Sequence, residues 1–190
     1  FELQASNHNP QAVQELAGRW YAERGEQSPF FKLWSHNAPV IALDDAVPTH
    51  ALTKGKPVVV KGWHTSPGSI NRYHTEFSGA HSGFETKGWI WMATHEGATD
   101  HLEGVEGIHG NQYTTEQFYQ RMLNPKVLQM IGKTATRSAM ERAEQNGHDG
   151  ILLVSGGKLV NAVVFDPRNL KAVENRGTFN SSEYSRYSLQ

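Results

Sequence analysis

The stretch GILLVSGGKLVNAVVFDP, residues 150–167, decides the fold. Two apolar runs rich in β-branched residues, 150–154 and 159–165, flank the dipeptide Gly156-Gly157. Paired glycines between two such runs predict two strands joined by a tight hairpin. The proline that follows the second run ends it, because proline cannot continue a strand ladder.

The remaining segments follow from the same reasoning. Hydrophobic runs predict further strands at 57–63, 88–93 and 171–174. Helical spacing of apolar residues predicts a helix at 10–24. We also expect a short helical turn at 28–34, helices at 114–123 and 134–146, and a short helix followed by a loop within the polar, glycine-containing stretch 94–112. Helices mixed with hairpin-connected strands predict an α+β fold.

Capping residues support three of these helices. Asn9 is suited to cap the first helix, with Gly25 after its end. Thr114 and Gln117 have the spacing of a capping box, which favours a helix over 114–123. Gly147 is expected just beyond the last helix.

Composition excludes several functions. The chain has 190 residues, a formal net charge of -1, no cysteine and 10 histidines. The balanced charge argues against a protein that coats DNA or RNA. The lack of cysteine excludes disulfides, zinc–thiolate sites and a cysteine nucleophile.

Common catalytic motifs are missing as well. The sequence has no GxSxG, no phosphate-binding glycine loop and no HExxH, and we expect no metal site. We also expect neither a membrane-spanning segment nor a signal peptide. Because the chain begins with Phe1 rather than Met, we expect it to be a fragment of a longer protein.

A series of short motifs occurs in a recognisable order. They are SPFFKLW (28–34), GKPVVV leading to Trp63-His64 (55–64), GWIWM (88–92), DGI (149–151), VVFDPRNLK (163–171) and NRGTF (175–179). In this order the chain resembles the ADP-ribosyltransferases of the histidine–tyrosine–glutamate class, which includes diphtheria toxin and the poly(ADP-ribose) polymerases. The likeness is strongest to modules of phage polyvalent proteins and bacterial polymorphic toxins of the Rhs type.

The resemblance implies a fold and a cofactor. It implies a split, mostly antiparallel β-sheet with flanking helices and a cleft that binds NAD. We expect an N-terminal helical arm at residues 1–35 and a catalytic domain at 36–190.

The resemblance also assigns roles to residues. His64 matches the histidine that hydrogen-bonds an NAD ribose hydroxyl, a role for which a neutral imidazole is suited. Thr65 stands where the family has a glycine that holds the nicotinamide amide, and Ser66 stands at the usual threonine. Trp91 stands at the tyrosine that stacks on nicotinamide, and Trp89 is expected beside it in the pocket or in the core.

Asn161 departs from the family pattern. It occupies the position of the catalytic glutamate, and asparagine supplies no negative charge and no base. This departure argues against polymer formation and is compatible with transfer of a single ADP-ribose. Another acid is then needed, and the sequence offers Glu85, Glu96, Asp100 and Glu174 without choosing between them.

The resemblance implies a mono-ADP-ribosyltransferase that serves as a toxin or effector against a competing bacterium or a host cell. It would be secreted or injected into a target cell, modify a protein or RNA there, and be monomeric within a larger protein with a cognate immunity protein. Three alternatives stay open: an NAD glycohydrolase, a nuclease that uses the histidine-rich segment 64–109, which contains six of the ten histidines, and an inactive binding module.

Overall fold

The computed structural model describes residues 9–52, 54–67, 88–100, 113–174 and 177–180. Its helices are α1 (Pro10–Arg24), α2 (Pro29–Ser35) and α3 (Lys133–Gln145), and residues 95–100 are also helical. Eight strands lie within the described residues: β1 (Val40–Ala42), β2 (Val58–Pro67), β3 (Ile90–Ala93), β4 (Tyr113–Met122), β5 (Pro125–Gln129), β6 (Gly150–Ser155), β7 (Lys158–Val164) and β8 (Leu170–Ala172). The predicted α+β class is confirmed.

Helix α1 begins and ends where its capping residues predicted. The Asn9 side chain accepts hydrogen bonds from the backbone N–H groups of Gln11 and Ala12, at 3.1 and 3.4 Å. Pro10 occupies the first turn, where its missing N–H costs nothing. Gly25 follows the helix with a φ of 54°, a conformation that glycine adopts without strain.

The β6–β7 hairpin is also confirmed. Ser155 pairs with Lys158, and the two residues between them, Gly156 and Gly157, have φ values of 57° and 77°. Positive φ at both central positions is what a two-residue turn of type I′ requires.

The helix predicted over 114–123 is wrong, because this segment is strand β4. It pairs antiparallel with β2 over ten consecutive residues, from Val58↔Met122 to Pro67↔Tyr113. Five consecutive residues at its end, 118–122, are all buried. Because the strand is covered on both faces there, the alternating pattern that identifies a half-exposed strand is missing. The long pairing with β2 outweighs the capping-box spacing.

Strands β1 and β5 were also not predicted. Both lie in short segments with little pattern of their own and form by parallel pairing, β1 with β2 and β5 with β6. Their existence depends on partners that are distant in the sequence.

The sheet divides into two halves. Strands β1, β2, β4 and β8 form the first half, and β3, β7, β6 and β5 form the second. Among the described residues, β2 and β3 share one registered pair, Trp63↔Ala93. The sheet is therefore mostly antiparallel and narrowly joined at its middle.

A central core lies on one face of both halves. It contains Val60 and Phe118 from the first half and Ile90, Leu152 and Val164 from the second. Since residues of both halves meet in one cluster, the sheet must curl around it. We call the face toward this core the inner face and the opposite one the outer face.

Two further cores lie on the outer face. Helix α3 covers the second half, where Met140 packs with Ile151 and Val163. Helix α2 covers the first half, where Phe31 and Trp34 pack with residues of the sheet and with Phe179.

The N-terminal helices are tied to the sheet by a buried tyrosine pair. The Tyr21 hydroxyl lies 3.1 Å from that of Tyr119 and donates to the carbonyl of Val173 at 2.8 Å. The Tyr119 hydroxyl donates to Glu26 at 3.0 Å. Burial and this bonding raise the pKa of Tyr119 well above its ordinary range, so the hydroxyl stays protonated.

Candidate functional site

The inner face changes from apolar to polar along β2 and β4. At one end Val58 and Val60 pair with Met122 and Gln120, and at the other end two polar pairs follow. These are His64↔Glu116 and Ser66↔Thr114, which together we call the polar end. These polar side chains lie beyond the apolar core on the inner face, so this is where we place the candidate site.

His64 is fixed by the neighbouring half of the sheet. Its Nδ1 lies 2.7 Å from the carbonyl oxygen of Trp91. A carbonyl only accepts, so Nδ1 carries a hydrogen; when the ring is neutral, Nε2 is then its acceptor nitrogen. The ring also meets the edge of Phe118, with centroids 6.3 Å apart.

Gly62 allows β2 and β3 to approach closely beside His64. A Cβ at this position would lie 2.5 Å from Leu43 Cδ1, 3.2 Å from the Ala93 carbonyl oxygen and 3.3 Å from Met92 Cβ. A side chain here would therefore push the two strands apart, and His64 would lose its contact with β3.

Trp91 lies on β3, next to the strand of His64, and Asn161 lies on β7, one strand further away; both side chains are on the other face. Asn161 pairs with Ala93, which in turn pairs with Trp63, so these side chains share the outer face. His64 follows Trp63 and points inward, because successive strand residues alternate. The predicted catalytic residues thus lie on three neighbouring strands, but their side chains do not converge.

The backbone of β3 connects the three residues. The Trp91 carbonyl accepts from His64, and the Met92 carbonyl accepts from Asn161 Nδ2 at 3.2 Å. The half-buried Trp91 side chain packs against the outer core beneath α3. The contact to His64 is therefore made by the main chain of Trp91 rather than by its ring.

Trp89 is a core residue. It is only 3% exposed and packs in the core beneath α3, with its ring 5.4 Å from that of Phe165. Its indole N–H donates to Glu144 at 3.2 Å. Of the two positions expected for Trp89, pocket or core, the structure places it in the core.

Thr65 and Ser66 point to opposite faces. The Thr65 hydroxyl donates to the Ala98 carbonyl at 2.9 Å and lies 2.9 Å from the hydroxyl of Thr115. Ser66 is 4% exposed and belongs to the polar end. Thr65 thus connects β2 to helical segment 95–100, while Ser66 lies on the same face as His64.

Asp44 holds the same helical segment against β2. Its carboxylate accepts from the indole N–H of Trp63 and from the backbone N–H of His95, both at 2.7 Å. The rings of Trp63 and His95 meet edge to face, with centroids 4.6 Å apart. The sequence did not predict these contacts, because they join residues from three segments that are far apart along the chain.

The acids proposed from the sequence lie elsewhere in the described structure. Glu96 and Asp100 are exposed on segment 95–100, Glu174 is exposed after β8, and Glu85 lies outside the described residues. Glu116, opposite His64, was missed because residues 114–123 were predicted to be helical. The β-branched and aromatic residues of YTTEQFY were the available strand signal.

Within the described ranges, no group of three or more His, Asp or Glu side chains is placed to hold a metal ion. His74, His81, His101 and His109 lie outside these ranges. Of the described helices, none has the length and apolar character needed to cross a membrane.

Comparison of the chain with protein-family models, with curated proteins and with solved structures finds no match. The arguments for function therefore rest on the ordered motifs and on the geometry of the polar end.

Proposed function

We propose that this chain is a mono-ADP-ribosyltransferase module that cleaves NAD and transfers ADP-ribose to a protein or RNA of a target cell. The observation that carries the proposal is the position of His64. It lies on the inner face where the two halves of the sheet part, with its tautomer fixed by the Trp91 carbonyl.

A fixed neutral imidazole suits the recognition of a ribose. With Nδ1–H engaged, Nε2 is oriented as an acceptor for a sugar hydroxyl. Ser66 and Thr114 add hydroxyl groups on the same face. These groups offer the donors and acceptors that a polyhydroxylated ligand requires.

The chemistry of NAD cleavage determines which groups the protein must supply. Nicotinamide is cationic in NAD, so it leaves as a neutral molecule without protonation. The site must orient the ribose, exclude competing water and stabilise positive charge at C1′. Fixed polar groups at a sheet end supply such orientation.

The proposal assigns supporting roles to Trp91, whose backbone carbonyl holds the His64 ring, and to Asn161. Asn161 carries no charge and donates to the Met92 carbonyl, which restrains the strand that orients His64. Its lack of a carboxylate agrees with transfer of one ADP-ribose rather than a polymer. As part of the same proposal, the module acts after secretion or injection and is countered by an immunity protein.

The test is to incubate a target-cell lysate with the protein and NAD labelled in its adenylate phosphate. Label transferred to macromolecules supports the proposal, and separate treatment with protease and ribonuclease distinguishes protein from RNA acceptors. Free ADP-ribose as the sole product would instead identify an NAD glycohydrolase. Nucleic-acid cleavage that EDTA abolishes, without NAD turnover, would identify a nuclease.

A further inference from the structure

Glu116 is the acidic residue that the strand register brings opposite His64. Ten consecutive pairs join β2 to β4 without a shift, and His64↔Glu116 is one of them. A slip by one residue would turn Val60 and Phe118 out of the central core, so the register is firmly specified. Residues directly opposite in such a pair have Cβ atoms about 5 Å apart.

The surroundings of Glu116 indicate a role other than packing. Glu116 is half-buried on a face whose next residue toward the core is Phe118. Beyond it, the Thr114 hydroxyl is buried and has no hydrogen-bond partner among the described residues. Glu116 therefore lies between the apolar core and a buried hydroxyl group, on the face that His64 also occupies.

We propose that Glu116 is the catalytic carboxylate of this site, taking the function that Asn161 lacks. This inference rests on the proposed function, since it names the group that acts on the ribose of NAD. His64 and Glu116 face each other in one registered pair of β2 and β4, whereas Glu96, Asp100 and Glu174 are exposed and lie outside both strands.

The step that Glu116 serves can be written with its atoms balanced. The bond between ribose C1′ and the nicotinamide nitrogen breaks, and its electron pair leaves with nicotinamide. The anionic carboxylate of Glu116 stabilises the positive charge that develops at C1′. The acceptor's oxygen or nitrogen then bonds to C1′, and the proton that it loses passes to Glu116 and on to solvent.

The test compares Glu116→Gln with Glu96→Gln, an exposed carboxylate used as the matched control. We expect Glu116→Gln to lower kcat for nicotinamide release by about 10²- to 10³-fold, as loss of one preorganised electrostatic group does. The KM for NAD and the thermal unfolding temperature should stay close to those of the wild type. Glu96→Gln should match the wild type in all three quantities.

Three outcomes distinguish this inference from the proposed function. Wild-type kcat in Glu116→Gln, with release lost in His64→Ala, would overturn the inference and leave the proposed function intact. A wild-type protein that neither binds nor cleaves NAD would overturn both. If Glu116→Gln folds poorly, Glu116→Asp retains the charge on a shorter side chain: an intermediate kcat is expected, and an unchanged kcat would overturn the inference.

Discussion

At the residue scale, a functional role for His64 is indicated by the residues that surround it and not by the high histidine content of the chain. The Trp91 carbonyl fixes its tautomer, Phe118 supports its ring, and Glu116 lies opposite it in the strand pair. Gly62 makes this arrangement possible by admitting β3 at close range. The geometry of the site thus depends on the absence of a side chain at Gly62 as well as on His64 itself.

Gly62→Ala tests that dependence. The added methyl group would meet the fully buried Leu43 and the Ala93 backbone, so we expect stability to fall by about 1–3 kcal/mol, as in other overpacked cores. Urea-induced unfolding measures the loss. Gly97→Ala is the control, because its Cβ would meet nothing closer than 3.3 Å. Equal stability of the two variants would contradict the close approach.

At the element scale, strand β4 decides what the site contains. As a helix, residues 114–123 would have presented Glu116 on a surface unrelated to His64. As a strand between β2 and β8, they place Glu116 opposite it. One error in secondary-structure prediction therefore concealed an acidic residue of the candidate site.

Substitutions at Gln117 distinguish strand from helix directly. Gln117 pairs with Trp63 on the outer face, where a β-branched side chain packs well against an aromatic neighbour. We expect Gln117→Val to be more stable than Gln117→Ala by roughly 0.5–1 kcal/mol in chemical unfolding. The exposed Arg142 in α3 should show the opposite order, because valine is the poorer helix former. The helical order at both positions would contradict a strand at β4.

The elements that the sequence predicted carry their own local signals. Helix α1 has Asn9 and Gly25 at its ends, and the β6–β7 hairpin has two glycines with positive φ. Strand β4 has a weaker local signal: it contains β-branched and aromatic residues, but both of its faces are buried over 118–122, so no alternating pattern accompanies them. Its partner β2 is about 50 residues away, and local propensity does not report pairing at that distance. For the same reason the sequence offered a motif that singles out His64 as a candidate, and no motif that singles out Glu116.

At the scale of the whole molecule, the N-terminal helices and the sheet share one core. Phe31 and Trp34 of α2 are buried against Val59 and Tyr119 of the sheet. The tyrosine pair adds hydrogen bonds across the same boundary. The described residues of this region, 9–35, therefore contribute to the stability of the sheet.

Removal of residues 1–35 should strongly destabilise the remainder. It uncovers the core around Tyr119, and loss of a single buried Phe or Trp side chain typically costs about 3–5 kcal/mol. Circular dichroism during thermal unfolding measures the effect. A chain that begins at Asn9 keeps every contact described above and serves as the control. A shortened chain as stable as this control would show that the helices are dispensable.

The most direct test of the central claim is nicotinamide release from NAD by the wild type, by His64→Ala and by His50→Ala. His50 is an exposed histidine away from the polar end, so its loss controls for the substitution itself. We predict release by the wild type and by His50→Ala, and a fall of at least about 10²-fold in His64→Ala. Equal release by all three proteins, or none by the wild type, would contradict an NAD-cleaving site built around His64.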